Sequence, residues 1–230
     1  MRLKLPYFTT KTKNIRMKKL FFLIILFCGI QSTQGQDGVG LRSGINLQKK
    51  VTKKVTLNLN GQARFNNDIS YLQTYLFELG SEYKISKSFD AAVYYRFVNR
   101  KKDETKDFKQ RHRFYADLSY GKKFGSIKFE NRLRYQHQFK DNDGVTEFDA
   151  SYIRNKIEAS YSNKSKFTPY VSNDFFFQIG GTLDQLRPKI GVSYKINKKN
   201  AVDASVFKDI DLVGTENPGP VLGLIYKLKL

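Results

Sequence analysis

From Asp37 onward, apolar and polar residues alternate with period two in runs of 10–16 residues, and this alternation constrains the fold more than any other feature. Val55, Leu57, Leu59, Gly61, Ala63 and Phe65 share one face of a strand, and Thr56, Asn58, Asn60, Gln62, Arg64 and Asn66 share the other. From Ile127 to Phe139 the split repeats. Lys128, Glu130, Arg132, Arg134, Gln136 and Gln138 lie opposite a face carrying Phe129, Leu133, Tyr135 and Phe139. Helical spacing would mix these sets, so the segments are strands.

The same reading marks strands at about 38–48, 55–66, 70–85, 89–99, 110–121, 127–139, 148–161, 166–177, 185–196, 200–209 and 219–230. Strands of soluble proteins usually run about 5–6 residues, whereas a tilted strand that crosses a bilayer needs about 9–11. Length therefore points to an all-β, antiparallel, up-and-down transmembrane β-barrel. Eleven segments is an odd number, and single-chain bacterial barrels have even ones. The expectation is 10 or 12 strands, with 70–85 the segment most open to a different division.

Connections alternate too. Residues 49–54, 86–88, 122–126, 162–165 and 197–199 are short and polar, whereas 99–109, 140–147, 178–184 and 208–218 are longer. Short turns on one rim and long loops on the other are the habit of outer-membrane barrels.

Two features turn the polar faces inward. They carry dense charge of both signs, which a narrow lumen would interlock. The apolar faces hold Tyr71, Tyr83, Phe97, Tyr120, Tyr135, Phe139 and Tyr161 near strand ends, where aromatic girdles sit. The last residues, Val221 to Leu230, alternate to the end and fit the terminal signal that barrel-assembly machinery recognises.

Met17-Lys18-Lys19, an apolar run from Leu20 to Ile30 and a small, polar tail to Gln36 read as a cleaved secretory signal peptide over 17–36, with Met17 the expected start. The run is too short for a membrane-spanning helix. The leader would occupy residues 1–36 and the barrel 37–230. Cys28, the single cysteine, falls in the leader. A mature chain without thiols has no disulfides, thiolate metal sites or cysteine nucleophile. Residues 1–36 hold seven basic and no acidic side chains, so their removal lowers the formal charge from +20 to +13. That excess could serve a polyanion, but both signs of charge alternate along each strand, which argues against nucleic acid.

Tyr95-Arg96-Phe97, Arg111-His112-Arg113, Asn131 to Gln136, and Pro169-Tyr170 with Asp174-Phe175 occur in this order. Together they resemble the domain-of-unknown-function 2490 (DUF2490) family of exported bacterial proteins. The resemblance covers nearly all of the mature chain. It implies a Gram-negative outer-membrane barrel of unknown activity and supplies no catalytic residues.

Among side chains that could carry chemistry, the inward arginines stand first: Arg64, Arg96, Arg113, Arg132, Arg134 and Arg154. They would favour an anionic solute or a lipid or glycan phosphate wherever they outnumber Glu78, Glu82, Glu130 and Glu158. His112 and His137 fall on the outward face, as the bases of outer-membrane lipid hydrolases do. Neither has a serine two residues away, and Ser119 and Ser151 are distant partners with no spacing to recommend them. Asp141-Asn142-Asp143-Gly144 begins like a calcium loop, but its glycine comes too early and its twelfth position lacks Glu. No metal, cofactor or catalytic residue is expected. The expected role is a non-enzymatic outer-membrane barrel, either a narrow channel or a structural or binding protein. Its partners would be membrane lipid, the assembly machinery and an anionic solute. The alternatives are a membrane-embedded lipid or lipopolysaccharide hydrolase, and a secreted basic protein that binds polyanions.

Overall fold

In a computed structural model, residues 38–230 are described apart from 67, 104–105, 143, 163–164 and 215–217. The proposed leader lies outside the described residues. The strands are β1 (Gly40–Lys50), β2 (Val55–Asn66), β3 (Tyr71–Lys84), β4 (Phe89–Arg100), β5 (Lys109–Phe124), β6 (Ile127–Asn142), β7 (Val145–Tyr161), β8 (Phe167–Gln178), β9 (Leu183–Lys195), β10 (Asn200–Phe207), β11 (Ile210–Asp211) and β12 (Val221–Lys229). Consecutive strands pair antiparallel from β1 to β10, and β12 pairs with both β10 and β1. The short β11 continues β10 along β9 after a break at residues 208–209. The sheet is a closed barrel of eleven strands with no helix among the described residues.

The strand number corrects the expectation of 10 or 12. An odd up-and-down barrel closes only if one neighbouring pair runs parallel, and β1 and β12 are that pair. Nine residues align along this seam, from Gly40 opposite Val221 to Gln48 opposite Lys229. Both strands start at the long-loop rim and end at the short-turn rim. The segment 70–85 is one strand, β3.

The predicted loop 140–147 is also corrected. β6 and β7 run on until Asn142 pairs with Val145 beside a turn at Gly144, which takes φ +87° and whose N–H bonds Asp141 Oδ1 at 2.8 Å. Residues 140–147 are polar apart from Gly144 and Val145, so they show no alternation although they pair as strand, and a bulge follows. Gln138 pairs with Ala150 but Phe139 pairs with Phe148, so Asp149 is left over and the alternation changes phase. At the same rim Asp68 and Ile69 have φ of 55° and 65°. The Asp68 carboxylate accepts the Val39 N–H at 2.7 Å and the Ile69 N–H reaches the Val39 carbonyl at 3.1 Å. These contacts tie the strand β1 entry to the β2–β3 turn.

The barrel is apolar outside and polar inside. Phe77 and Leu79 are each 58 % exposed, while Glu78 between them is 8 % exposed. Asp117, Arg134, Arg154 and Asp174 are buried, and Val93, Phe114, Leu133, Tyr135 and Val171 are exposed. Side chains alternate across a strand, so the period-two pattern that defines each strand also sorts charge into the lumen.

Candidate functional site

The lumen is built in layers of ion pairs. Asp117 and Arg134 are directly opposite on β5 and β6. The guanidinium makes a two-point contact, Nε to Oδ1 at 2.6 Å and Nη2 to Oδ2 at 2.7 Å. It also lies 3.6 Å from the centre of the Tyr115 ring. Tyr115 stacks on Tyr94 at 4.9 Å, and the Tyr94 hydroxyl donates to Glu82 at 2.6 Å. Arg96 pairs with Glu78 across β3 and β4 and donates to the Tyr115 hydroxyl at 3.4 Å. One wall of the lumen is thus a chain of guanidinium, phenol and carboxylate groups, the kind of buried network that is stable only when each member is satisfied.

Next to this network, on β6 to β9, the arginines outnumber their partners. Arg154 and Arg132 share Asp174, at 3.0 Å and 3.4 Å. The Nε of each is buried without a hydrogen-bond partner among the described residues. Arg42 and Arg187 likewise share Asp209, at 3.1 Å and 3.0 Å. Arg42 lies 4.4 Å over the Phe207 ring and Arg187 5.0 Å over Phe176.

The six predicted arginines therefore divide. Arg96, Arg132, Arg134 and Arg154 have carboxylate partners. Arg64 and Arg113 have amides instead: Arg64 Nε donates to Gln62 Oε1 at 2.7 Å, and Arg113 Nε to Gln138 Oε1 at 3.0 Å. Neither has a carboxylate oxygen within 4.0 Å among the described residues. Arg64 is directly opposite Arg42 in the β1–β2 ladder, so its nearest cross-strand neighbour is another cation.

A cavity of about 480 Å³ opens in this lumen, and Arg64, Arg96, Arg132, Arg134 and Arg154 line it, whereas Arg113 does not. Its described wall carries nine cationic side chains against seven carboxylates, so the cavity has a positive excess. Sequence reasoning missed Arg42, Arg187, Asp174 and Asp209 as members of the site. Their inward parity was readable, but their pairing depends on which strands meet across the lumen. Of the expected partners only Glu78 bonds an arginine, because Glu82 accepts from Tyr94, Glu130 pairs with Lys128 and Glu158 with Lys156.

The two histidines face outward on β5 and β6. His112 Nδ1 is 2.7 Å from the Tyr95 hydroxyl. His137 Nδ1 is 2.7 Å from Ser151 Oγ, and the two residues are direct cross-strand partners. Ser119 instead lines the lumen, on the other side of the sheet. Asp141 caps the β6–β7 turn. Among the described residues no three His, Cys, Asp or Glu side chains are grouped to hold a metal ion.

A family described as Protein of unknown function (DUF2490) matches residues 43–214. The chain belongs to the DUF2490 family. The match runs from β1 to just beyond β11, so it includes every lumen arginine named above except Arg42. No curated protein matches this DUF2490 chain.

Proposed function

We propose that this DUF2490 protein is an outer-membrane barrel whose lumen receives a small anionic solute, as a narrow channel or a binding protein. Three observations support the membrane assignment: the signal-peptide pattern over 17–36, strands of up to 17 residues, and an apolar band facing outward around the barrel. Outer-membrane lipid is then the partner of that band. The alternating terminal strand, β12, would be the segment taken by the assembly machinery.

The observation that carries the lumen reading is Arg64. A guanidinium held by one amide and directly opposite Arg42 presents unused donors in a fork that suits an oxyanion. Arg132 and Arg154 add two buried, unpartnered Nε groups nearer Asp174. Because these arginines point into the barrel, the surface-binding polyanion alternative has less support.

Detergent-purified protein would be titrated with sulfate against chloride at equal ionic strength, and single channels recorded in planar bilayers. Selective stabilisation by sulfate that disappears in Arg64→Gln supports the site. Anion-selective conductance would assign a channel, and binding without conductance a receptor. If sulfate and chloride act alike and the bilayer stays silent, the lumen is only a packed core.

A further inference from the structure

We propose that Ser151 and His137 form an ester-cleaving dyad on the outward face of the barrel, with the acyl ester of a membrane lipid as substrate. This rests on the membrane reading above but not on the lumen site. The dyad is the contact that residue spacing did not reveal: the serine is 14 positions from its histidine and becomes its neighbour through the β6–β7 register. At 2.7 Å, Oγ donates to Nδ1, provided that the ring carries its proton on Nε2. A serine becomes nucleophilic when a base accepts that proton.

The surroundings fit the chemistry in three respects. The imidazole is held by packing, stacked on Phe148 and edge-on to Phe139, each with ring centres 4.9 Å away. Phe139 also forms a wall of an outward cavity of about 660 Å³ shared with Tyr95, His112, Phe114 and Thr146, large enough for part of an acyl chain. The bulge at Gln138/Phe139 interrupts the ladder two residues from Ser151. Bulges disrupt the ladder locally and are over-represented next to active sites. The His112–Tyr95 contact has similar geometry but carries a phenol instead of an alkyl alcohol.

Depth agrees as well. The 16 residues of β6 span about 40 Å along the axis, from ~3.3 Å per residue and a ~40° tilt, against an apolar band about 25 Å tall. His137 is five residues from the upper end of β6, about 13 Å below its tip on the same geometry, near the edge of the band where lipid esters lie.

In the reaction Ser151 Oγ bonds to the ester carbonyl carbon as its proton passes to His137 Nδ1. Collapse breaks the bond to the alcohol oxygen, which takes that proton and leaves. Water then attacks the acyl-serine, again through His137, and frees the fatty acid.

Full-length protein in detergent would be treated with a fluorophosphonate probe, which needs no membrane and so fails independently of the localisation test. The expected result is labelling at Ser151, lost in Ser151→Ala and slowed about a hundredfold in His137→Gln, with Ser81→Ala unaffected. Heat-modifiable gel mobility would verify that each variant is folded. Unlabelled wild type, label retained in Ser151→Ala, or a wild-type rate in His137→Gln overturns the dyad. Fatty acid released from phosphatidylethanolamine vesicles or from lipopolysaccharide micelles identifies which ester is cut. Release from neither overturns the proposal.

Discussion

Asp117 holds both forward nitrogens of Arg134, at 2.6 Å and 2.7 Å, with each side chain only 6 % exposed. Removing one member of such a pair strands a buried charge, while removing both does not. Asp117→Leu should cost about 3–5 kcal/mol by urea unfolding in micelles. Arg134→Leu added to it should recover part of that loss. A double variant no more stable than the single one would mean that Arg134, left alone, finds another anion.

Arg64→Gln tests the opposite situation, because Arg64 lies opposite Arg42 and has only an amide partner. The variant should be more stable than wild type in low salt and lose its response to sulfate. For wild type, sulfate at one hundred times Kd should raise stability by about 2.7 kcal/mol. Thermal unfolding with and without sulfate reads both effects.

The outward band makes a depth-dependent prediction. Phe77 stands midway along β3 and is exposed. Phe77→Arg should cost about 2–4 kcal/mol in a lipid bilayer. If that face met water, the change would stay within about 0.5 kcal/mol. Refolding titrations into lipid vesicles distinguish the two.

Ile69 is a β-branched residue at φ +65°. Such a backbone costs about 1–3 kcal/mol for an ordinary side chain, whereas Asn tolerates it. Ile69→Asn should raise the unfolding free energy by about 1 kcal/mol. A neutral or negative change in denaturant melts would place the strain elsewhere.

The parallel seam can be trapped covalently, since Cys28 is the chain's single cysteine. Ser43 and Leu224 are register partners. Ser43→Cys with Leu224→Cys, in a Cys28→Ser background, should form a disulfide seen as a mobility shift on non-reducing gels. Ser43→Cys with Leu228→Cys, four positions out of register, should not.

Residue order alone made the strands legible, together with their inside-out sorting. Both follow from a local rule: successive side chains of a strand point to opposite faces, so Glu78 between Phe77 and Leu79 declares its side without knowledge of any neighbour. The inward position of Arg64, Arg96, Arg132, Arg134 and Arg154 follows from the same rule. The β6–β7 turn was hidden because residues 140–147 are polar on both faces apart from Val145, so they pair as strand without the alternation that marks one. Tertiary structure decided everything that depends on register between strands or contact across the lumen. The parallel β1–β12 seam makes an odd barrel possible, yet its residues lie nearly a whole chain apart. Asp174 and Asp209 each meet two arginines, leaving Arg64 without a carboxylate, and His137 meets Ser151. A one-residue change of register would reverse the face of every side chain in a strand, so these meetings depend on the whole sheet.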